Sequence, residues 1–103
     1  MAKKYIMFIG LNDKDSKAQE ISTLDAYKVA SNLLCEHIGY GTITEARGVY
    51  THDNGEIVEE VTLRVEVSGA ELESVKRFAL AVKVALNQES IGLEVVDSEF
   101  DFI

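Results

Sequence analysis

Two acidic residues, Asp13 and Asp15, are spaced as in a cation-binding loop. Paired carboxylates at alternate positions suit hard divalent cations such as Ca²⁺. The calcium-loop pattern also needs an oxygen ligand at position 17 and a glycine at position 18, where this chain has lysine and alanine. We therefore predict a solvated loop with no metal and no other cofactor. Asn12 and Asp13 directly follow a predicted central strand, where ligands often bind, so the 12–20 loop is a candidate binding segment.

The two histidines lie far apart in the sequence. His37 falls in the last turn of a predicted helix, where a protonated imidazole stabilises the helix dipole. His52 lies beside Asp53 and two residues after Tyr50, so these three residues are the catalytic candidates if the protein is an enzyme. Spacing alone does not assign a Ser–His–Asp set. We predict a non-enzymatic protein with no catalytic residues.

The single cysteine, Cys35, excludes an internal disulfide and a multi-cysteine metal site. It lies near the end of a predicted helix beside Glu36, whereas reactive thiols usually have a helix N-terminus or a cation nearby. We therefore expect a buried or half-buried structural thiol.

Composition and charge limit the function further. The chain has 103 residues, of which 47% are hydrophobic, which predicts one folded domain spanning residues 1–103. Ten Lys and Arg against eighteen Asp and Glu give a net charge of −8, which weighs against nucleic acid or an anionic membrane as the main partner. No apolar run approaches the ~20 residues of a membrane span. The N-terminus leads into a strand without a signal-peptide pattern, so we expect a cytoplasmic protein.

The negative charge is concentrated late in the sequence. After Lys83 there are five acidic residues and no basic one. We expect the acids of the last strand to stand on one solvent-facing side. They either protect a sheet edge against aggregation or form an acidic surface that docks on a basic protein. The residues of this predicted surface are Glu94, Asp97, Glu99 and Asp101.

The first half of the chain predicts a strand, a helix and a hairpin. Residues 5–9 form an apolar run that is too short for a helix. Residues 22–25 match a helix-capping pattern, and the apolar residues that follow have helical spacing until Gly39. A β-rich stretch at 42–51 and an alternating stretch at 57–67 flank an Asp-Asn-Gly turn signal. Gly48 interrupts the second strand and suggests a bulge.

The second half adds a helix and a last strand. Residues 68–71 form a second capping pattern, and the helix continues to about residue 86 with more apolar surface than one face requires. A polar link at 87–90 leads into a strand that begins at 91. The resulting β-α-β-β-α-β order predicts an α+β ferredoxin-like plait, an antiparallel sheet of order 4-1-3-2 with both helices on one face.

The other face of this sheet carries apolar residues from the first strand. They are either Ile6 and Phe8 or the alternate set of Tyr5, Met7 and Ile9. Either set would be buried against a second copy, so we predict a homo-oligomer, most simply a dimer.

In element order and central hairpin, the chain resembles small stand-alone ferredoxin-like proteins, including the PII-like group. The resemblance implies assembly into dimers or trimers. In the PII-like group the hairpin carries a signalling loop, and effectors bind in clefts between subunits. Here the hairpin tip at 51–55 is a tight turn, and the Cys-x-x-Cys pair of metal-chaperone members is absent. The aromatic residues with which RNA-binding members stack bases are also missing from the third strand.

The sequence supports two functional hypotheses. The first is a binding or regulatory protein that holds a protein or small molecule through the 50–56 hairpin, the second strand at the sheet edge and the 12–20 loop. Arg47 and Tyr50 would be anchors on that strand, since Arg and Tyr are enriched at interfaces. The alternative is a small acidic inhibitor, encoded by a phage or mobile element, that blocks a basic nucleic-acid-binding host defence protein as anti-CRISPR proteins do.

Overall fold

Residues 2–103, which a computed structural model describes, fold into one four-stranded antiparallel sheet and two helices. The elements are β1 (Ala2–Gly10), α1 (Thr23–His37), β2 (Thr42–Thr51), β3 (Ile57–Ser68), α2 (Leu72–Ala85) and β4 (Gly92–Ser98). The strand order β2-β3-β1-β4 is the predicted order, so the fold is a ferredoxin-like α+β plait.

The core lies between the two central strands and the helices. In β1, Tyr5, Met7 and Ile9 are buried in this core. They pair with Val67, Val65 and Leu63 of β3, which belong to the same cluster. Because side chains alternate along a strand, Ile6 and Phe8 lie on the other, helix-free face, which we call the open face. Phe8 is 42% exposed there.

The two helices begin in different ways. The Ser22 side chain accepts a hydrogen bond from the Asp25 backbone N–H at 3.1 Å, which confirms the predicted cap of α1. The capping pattern predicted at 68–71 is wrong. Ser68 still pairs with β1, and Gly69 turns the chain with a φ of +77°. The N-cap position of α2 is therefore Glu71, three residues later, where the described chain shows no capping side-chain bond.

The hairpin between β2 and β3 closes as a tight turn. The His52 N–H donates to the Glu56 carbonyl at 2.8 Å, and Gly55 takes a φ of +85°. Pairing of the two strands runs without interruption from Thr42 to Thr51, so the bulge suggested at Gly48 is not formed. That glycine serves close packing instead, because a Cβ there would lie 2.8 Å from the Thr62 hydroxyl oxygen.

Both helices expose side chains at the surface. Cys35 is exposed, which contradicts the predicted burial, because the buried face of α1 runs through Ala26, Ala30 and Leu34. Leu80 of α2 is 62% exposed, in keeping with the surplus of apolar residues on that helix. Within residues 2–103, neither helix has the length and apolar character needed to cross a membrane.

Candidate functional site

A cleft of about 540 Å³ opens on the open face of the sheet. It lies where β1 and β2 end and β3 and β4 begin. The end of the hairpin, the first part of the 12–20 loop and the link before β4 form its walls. Small-molecule sites typically enclose ~300–1,000 Å³, so the cleft is large enough for a ligand of nucleoside size.

Three glycines form much of the cleft floor. Gly10, Gly48 and Gly92 lie on three different strands, and all three line the cleft. The register places Gly48 opposite Glu60 and Gly92 opposite Phe8. Because these open-face positions carry no side chain of their own, neighbouring side chains can lie low over the sheet there, as Glu60 does over Gly10 and Thr62 over Gly48.

The Glu60 side chain crosses this floor above Gly10. A Cβ on Gly10 would lie 2.6 Å from the carboxyl carbon of Glu60, so the carboxylate occupies the space that any other residue at position 10 would fill. The backbone N–H of Asn12 donates to Glu60 Oε2 at 3.0 Å and fixes the carboxylate. The remaining acceptor capacity of this half-buried group is available to a donor or cation in the cleft.

Aromatic side chains form one side of the cleft. The rings of Tyr50 and His52 meet edge to face, with centroids 5.4 Å apart and an interplanar angle of 89°. Both residues line the cleft, as does Phe8 near its floor. Such rings offer faces for stacking and for contact with a cation.

The carboxylates of Asp13 and Asp15 are brought together by an amide rather than by a metal. Asn87 Nδ2 donates to Asp13 Oδ1 at 2.8 Å and to Asp15 Oδ2 at 2.9 Å. This bond, together with N–H groups of Ser16 and Asp15, holds the pKa of Asp13 below its usual range. Within residues 2–103, no group of three or more His, Cys, Asp or Glu is placed to hold a metal ion.

The structure brings together some of the residues predicted from the sequence. Asn12, Asp13, Tyr50 and His52 line the cleft. Asp15 does not line the cleft, and its carboxylate accepts a hydrogen bond from the Asn87 amide. Arg47 pairs with Val61, on the helix-facing side of β2, and Asp53 is exposed at the hairpin tip. The predicted binding set therefore divides into a cleft group and residues outside it.

The four predicted acidic residues do not share one face of a strand. Glu94 pairs with Ile6 on the open face, whereas Asp97 pairs with Lys3 on the opposite face and forms a salt bridge with it. Glu99 and Asp101 lie beyond the end of β4. The prediction of a single acidic side was wrong, because Asp97 lies three positions after Glu94 and an odd offset along a strand places two side chains on opposite faces.

The residues at the centre of the cleft are not among those predicted from the sequence. Glu60 lies in the alternating stretch at 57–67, where polar residues usually face water, and Gly10 directly follows the apolar run at 5–9. Lys14 and Lys17 were assigned to a solvated loop, yet both line the cleft. One signal was present, since Gly48 lies inside a β-rich stretch where glycine is disfavoured.

The chain is similar to known proteins in its three-dimensional structure. No family model matches the chain, and no curated protein matches it. A phage SAM lyase solved in complex with S-methyl-5'-thioadenosine has a TM-score of 0.70 and 21% identity, covering 93% of this chain and 81% of that one.

Two further solved structures share the architecture. CutA from Synechococcus elongatus PCC7942 has a TM-score of 0.59 and 10% identity, covering 94% of this chain and 76% of that one. A Bacillus cereus protein related to NIF3 has a TM-score of 0.60 and 14% identity, covering 91% of this chain but 24% of that one. At these identities the likeness concerns the fold, and it agrees with the ferredoxin-like plait predicted from the sequence.

Proposed function

We propose that this chain binds an S-adenosyl sulfonium compound in the open-face cleft and cleaves it, releasing S-methyl-5'-thioadenosine. The observation that carries the proposal is the Glu60 carboxylate, fixed above a glycine floor beside aromatic side chains. The chemical class comes from the phage SAM lyase that shares the fold over 93% of this chain and was solved with that thioether bound. The proposal replaces the sequence-based expectation of a non-enzymatic protein.

The cleft offers groups that complement such a ligand. A purine can stack on Phe8 or Tyr50, since aromatic side chains stack on nucleobases. The carboxylate of Glu60 attracts the positive charge of the sulfonium or of the amino group beside it. Gly10 and Gly48 leave room on the floor for the side chains of Glu60 and Thr62, which line the cleft.

Cleavage breaks the bond between sulfur and the amino-acid side chain. The electron pair of that bond stays on sulfur, which becomes the neutral thioether. A lyase adds no water, so the replacement bond forms within the departing fragment. Either a neighbouring carbon loses a proton and a double bond forms, or the substrate's own carboxylate oxygen attacks the carbon and closes a lactone. Glu60 is the base in the first case, and in the second it holds the cationic end of the substrate in place.

Incubation with S-adenosylmethionine, followed by chromatography of the adenosyl products, tests the proposal. We expect the protein to release S-methyl-5'-thioadenosine, and Glu60→Gln to reduce the rate by about a hundredfold or more. Glu59→Gln is the matched control, because Glu59 is exposed on the opposite side of the same strand and should leave the rate unchanged. Equal rates for Glu60→Gln and the unmodified protein would refute the role of Glu60.

A non-enzymatic binding protein is the second candidate. It is supported by the same cleft and by the hydrogen bonds that hold the adjoining loop in place. Saturable binding of S-adenosylmethionine without release of the thioether would favour this candidate over the lyase. An absence of both binding and release in the unmodified protein would contradict both candidates.

We also propose the homo-oligomer, with a dimer as its simplest form. Leu80 and Val84 follow each other at helical spacing on α2 and are 62% and 80% exposed. Leu93 and Val95 of β4 are also exposed. Association of two copies would remove such side chains from water. The acidic-inhibitor hypothesis loses the predicted acidic surface as support, because the four acidic residues do not form one face. The net charge of −8 still supports it.

A further inference from the structure

Charges of both signs line the cleft. Its floor carries the Glu60 carboxylate, and the adjoining loop contributes Lys14 and Lys17. Glu89 and Asp13 also line the cleft. In a protein with ten basic and eighteen acidic residues, two ammonium groups at one small-molecule cleft require an explanation.

The neighbouring aspartates do not account for the lysines. Asp13 and Asp15 both accept hydrogen bonds from the Asn87 amide, and Asp13 also accepts the N–H groups of Asp15 and Ser16. Asp13 therefore has an internal structural role. Among residues 2–103, Lys14 and Lys17 form no ion pair within 4.0 Å. Their charges are available to a ligand.

The backbone of the loop is anchored at both lysines. The Lys14 N–H donates to the Asn87 carbonyl at 3.0 Å, and the Lys17 N–H donates to the Asp13 carbonyl at 2.9 Å. Lys17 has a φ of +63°, an uncommon conformation for a residue other than glycine. Gln88 secures the start of the loop by donating to the Asn12 carbonyl at 2.9 Å. A loop held in this way presents its side chains from a defined position, which favours binding over non-specific attraction.

We propose that Lys14 and Lys17 bind the carboxylate of the amino-acid portion of the ligand and so determine its specificity. The inference rests on the proposed function, because it concerns the same cleft. It adds that the preferred ligand carries a carboxylate as well as a cationic centre, with the lysines facing the first and Glu60 the second. After cleavage, the thioether product lacks the carboxylate that the lysines bind. It would therefore bind the cleft more weakly than the substrate and leave more readily.

Two unreactive probes isolate this contribution. S-adenosylhomocysteine keeps the amino-acid portion and S-methyl-5'-thioadenosine lacks it, and calorimetry gives the affinity of each. We expect the first probe to bind more tightly. Lys14→Gln and Lys17→Gln should each reduce that preference about two- to fivefold, as for exposed ion pairs, and added salt should reduce it too. Lys28→Gln, on the exposed side of α1, is the matched control and should leave the preference unchanged.

The outcomes separate this inference from the proposed function. If both probes bind the unmodified protein and the lysine variants keep the same preference, the lysine assignment is overturned while the adenosyl site stands. If neither probe binds the unmodified protein, the adenosyl site itself is overturned. All three substitutions replace exposed side chains, so each variant should fold normally. Circular dichroism verifies this.

Discussion

Replacing Gly10 by alanine would place a methyl group 2.6 Å from the carboxyl carbon of Glu60. No real Cβ contact is that short, so one of the two groups must move. The backbone at Gly10 does not have a positive φ, so alanine fits the strand itself. The colliding atoms are the end of a flexible side chain. We therefore expect Glu60 to swing away while the sheet remains intact.

The energetic effect follows from what Glu60 loses. Its carboxylate accepts the Asn12 N–H at 3.0 Å, and charged hydrogen bonds of this kind contribute ~1.5–3 kcal/mol. We take about 1.5 kcal/mol, because water partly replaces the bond at a half-buried site. Alanine recovers about 0.4–1 kcal/mol by restricting the unfolded chain. Gly10→Ala should thus lower the free energy of unfolding by about 0.5–1 kcal/mol.

Gly92→Ala is the matched control for this substitution. Its Cβ would lie 3.5 Å from Phe8, an ordinary contact, so only the gain of about 0.4–1 kcal/mol is expected. Urea unfolding of both variants measures the difference, which should be about 1.5 kcal/mol. The amide proton of Asn12 should also shift in the Gly10 variant alone. Equal stabilities and an unchanged Asn12 amide would refute the account of the cleft floor.

Three other predictions concern the loop, the pH dependence and the assembly. Asn87 has a φ of +48°, which glycine adopts readily, so Asn87→Gly keeps the backbone conformation but removes the side-chain amide. NMR titration should then show the pKa of Asp13 rising towards its usual value. An unchanged pKa would refute the amide's role. Hydrogen bonds hold the pKa of Asp13 low, and the Lys4 hydrogen bond lowers that of Glu66. Their stabilisation is complete above the unfolded-state pKa of about 4 and is lost as the pH falls through the lower folded-state values, so urea midpoints should drop between about pH 5 and pH 2. Val84→Glu should convert the oligomer to a monomer in light scattering, and a monomeric unmodified protein would refute the assembly.

The fold could be predicted because its signals are local. Alternating and helical hydrophobic spacing, the Ser22 cap and the turn at 53–55 each specify one element. The central strands then follow from connection rules. The start of α2 could not be located in the same way. The capping pattern at 68–71 is present, but pairing of Ser68 with β1 and the turn at Gly69 overrule it.

The site could be predicted only in part, because it depends on register. The loop residues Asn12 and Asp13 were identified by their position after a central strand. Glu60 was missed because a polar residue at an alternating position usually faces water. Only the pairing of β3 with both neighbouring strands brings Glu60 opposite Gly48 and close to Gly10. Gly10 and Glu60 are 50 positions apart in the sequence, so no local pattern could reveal that they lie close together.

Amide chemical shifts during titration with S-methyl-5'-thioadenosine test the central claim most directly, because this probe is not cleaved further. The account predicts that the amide signals of Gly10, Gly48 and Gly92 shift together and saturate, since these three residues line the cleft. The signals of Gly39 and Gly69, which lie outside it, should stay in place and serve as internal controls. Unchanged floor glycines, or larger shifts at the two control glycines, would contradict binding of an adenosyl ligand in the open-face cleft.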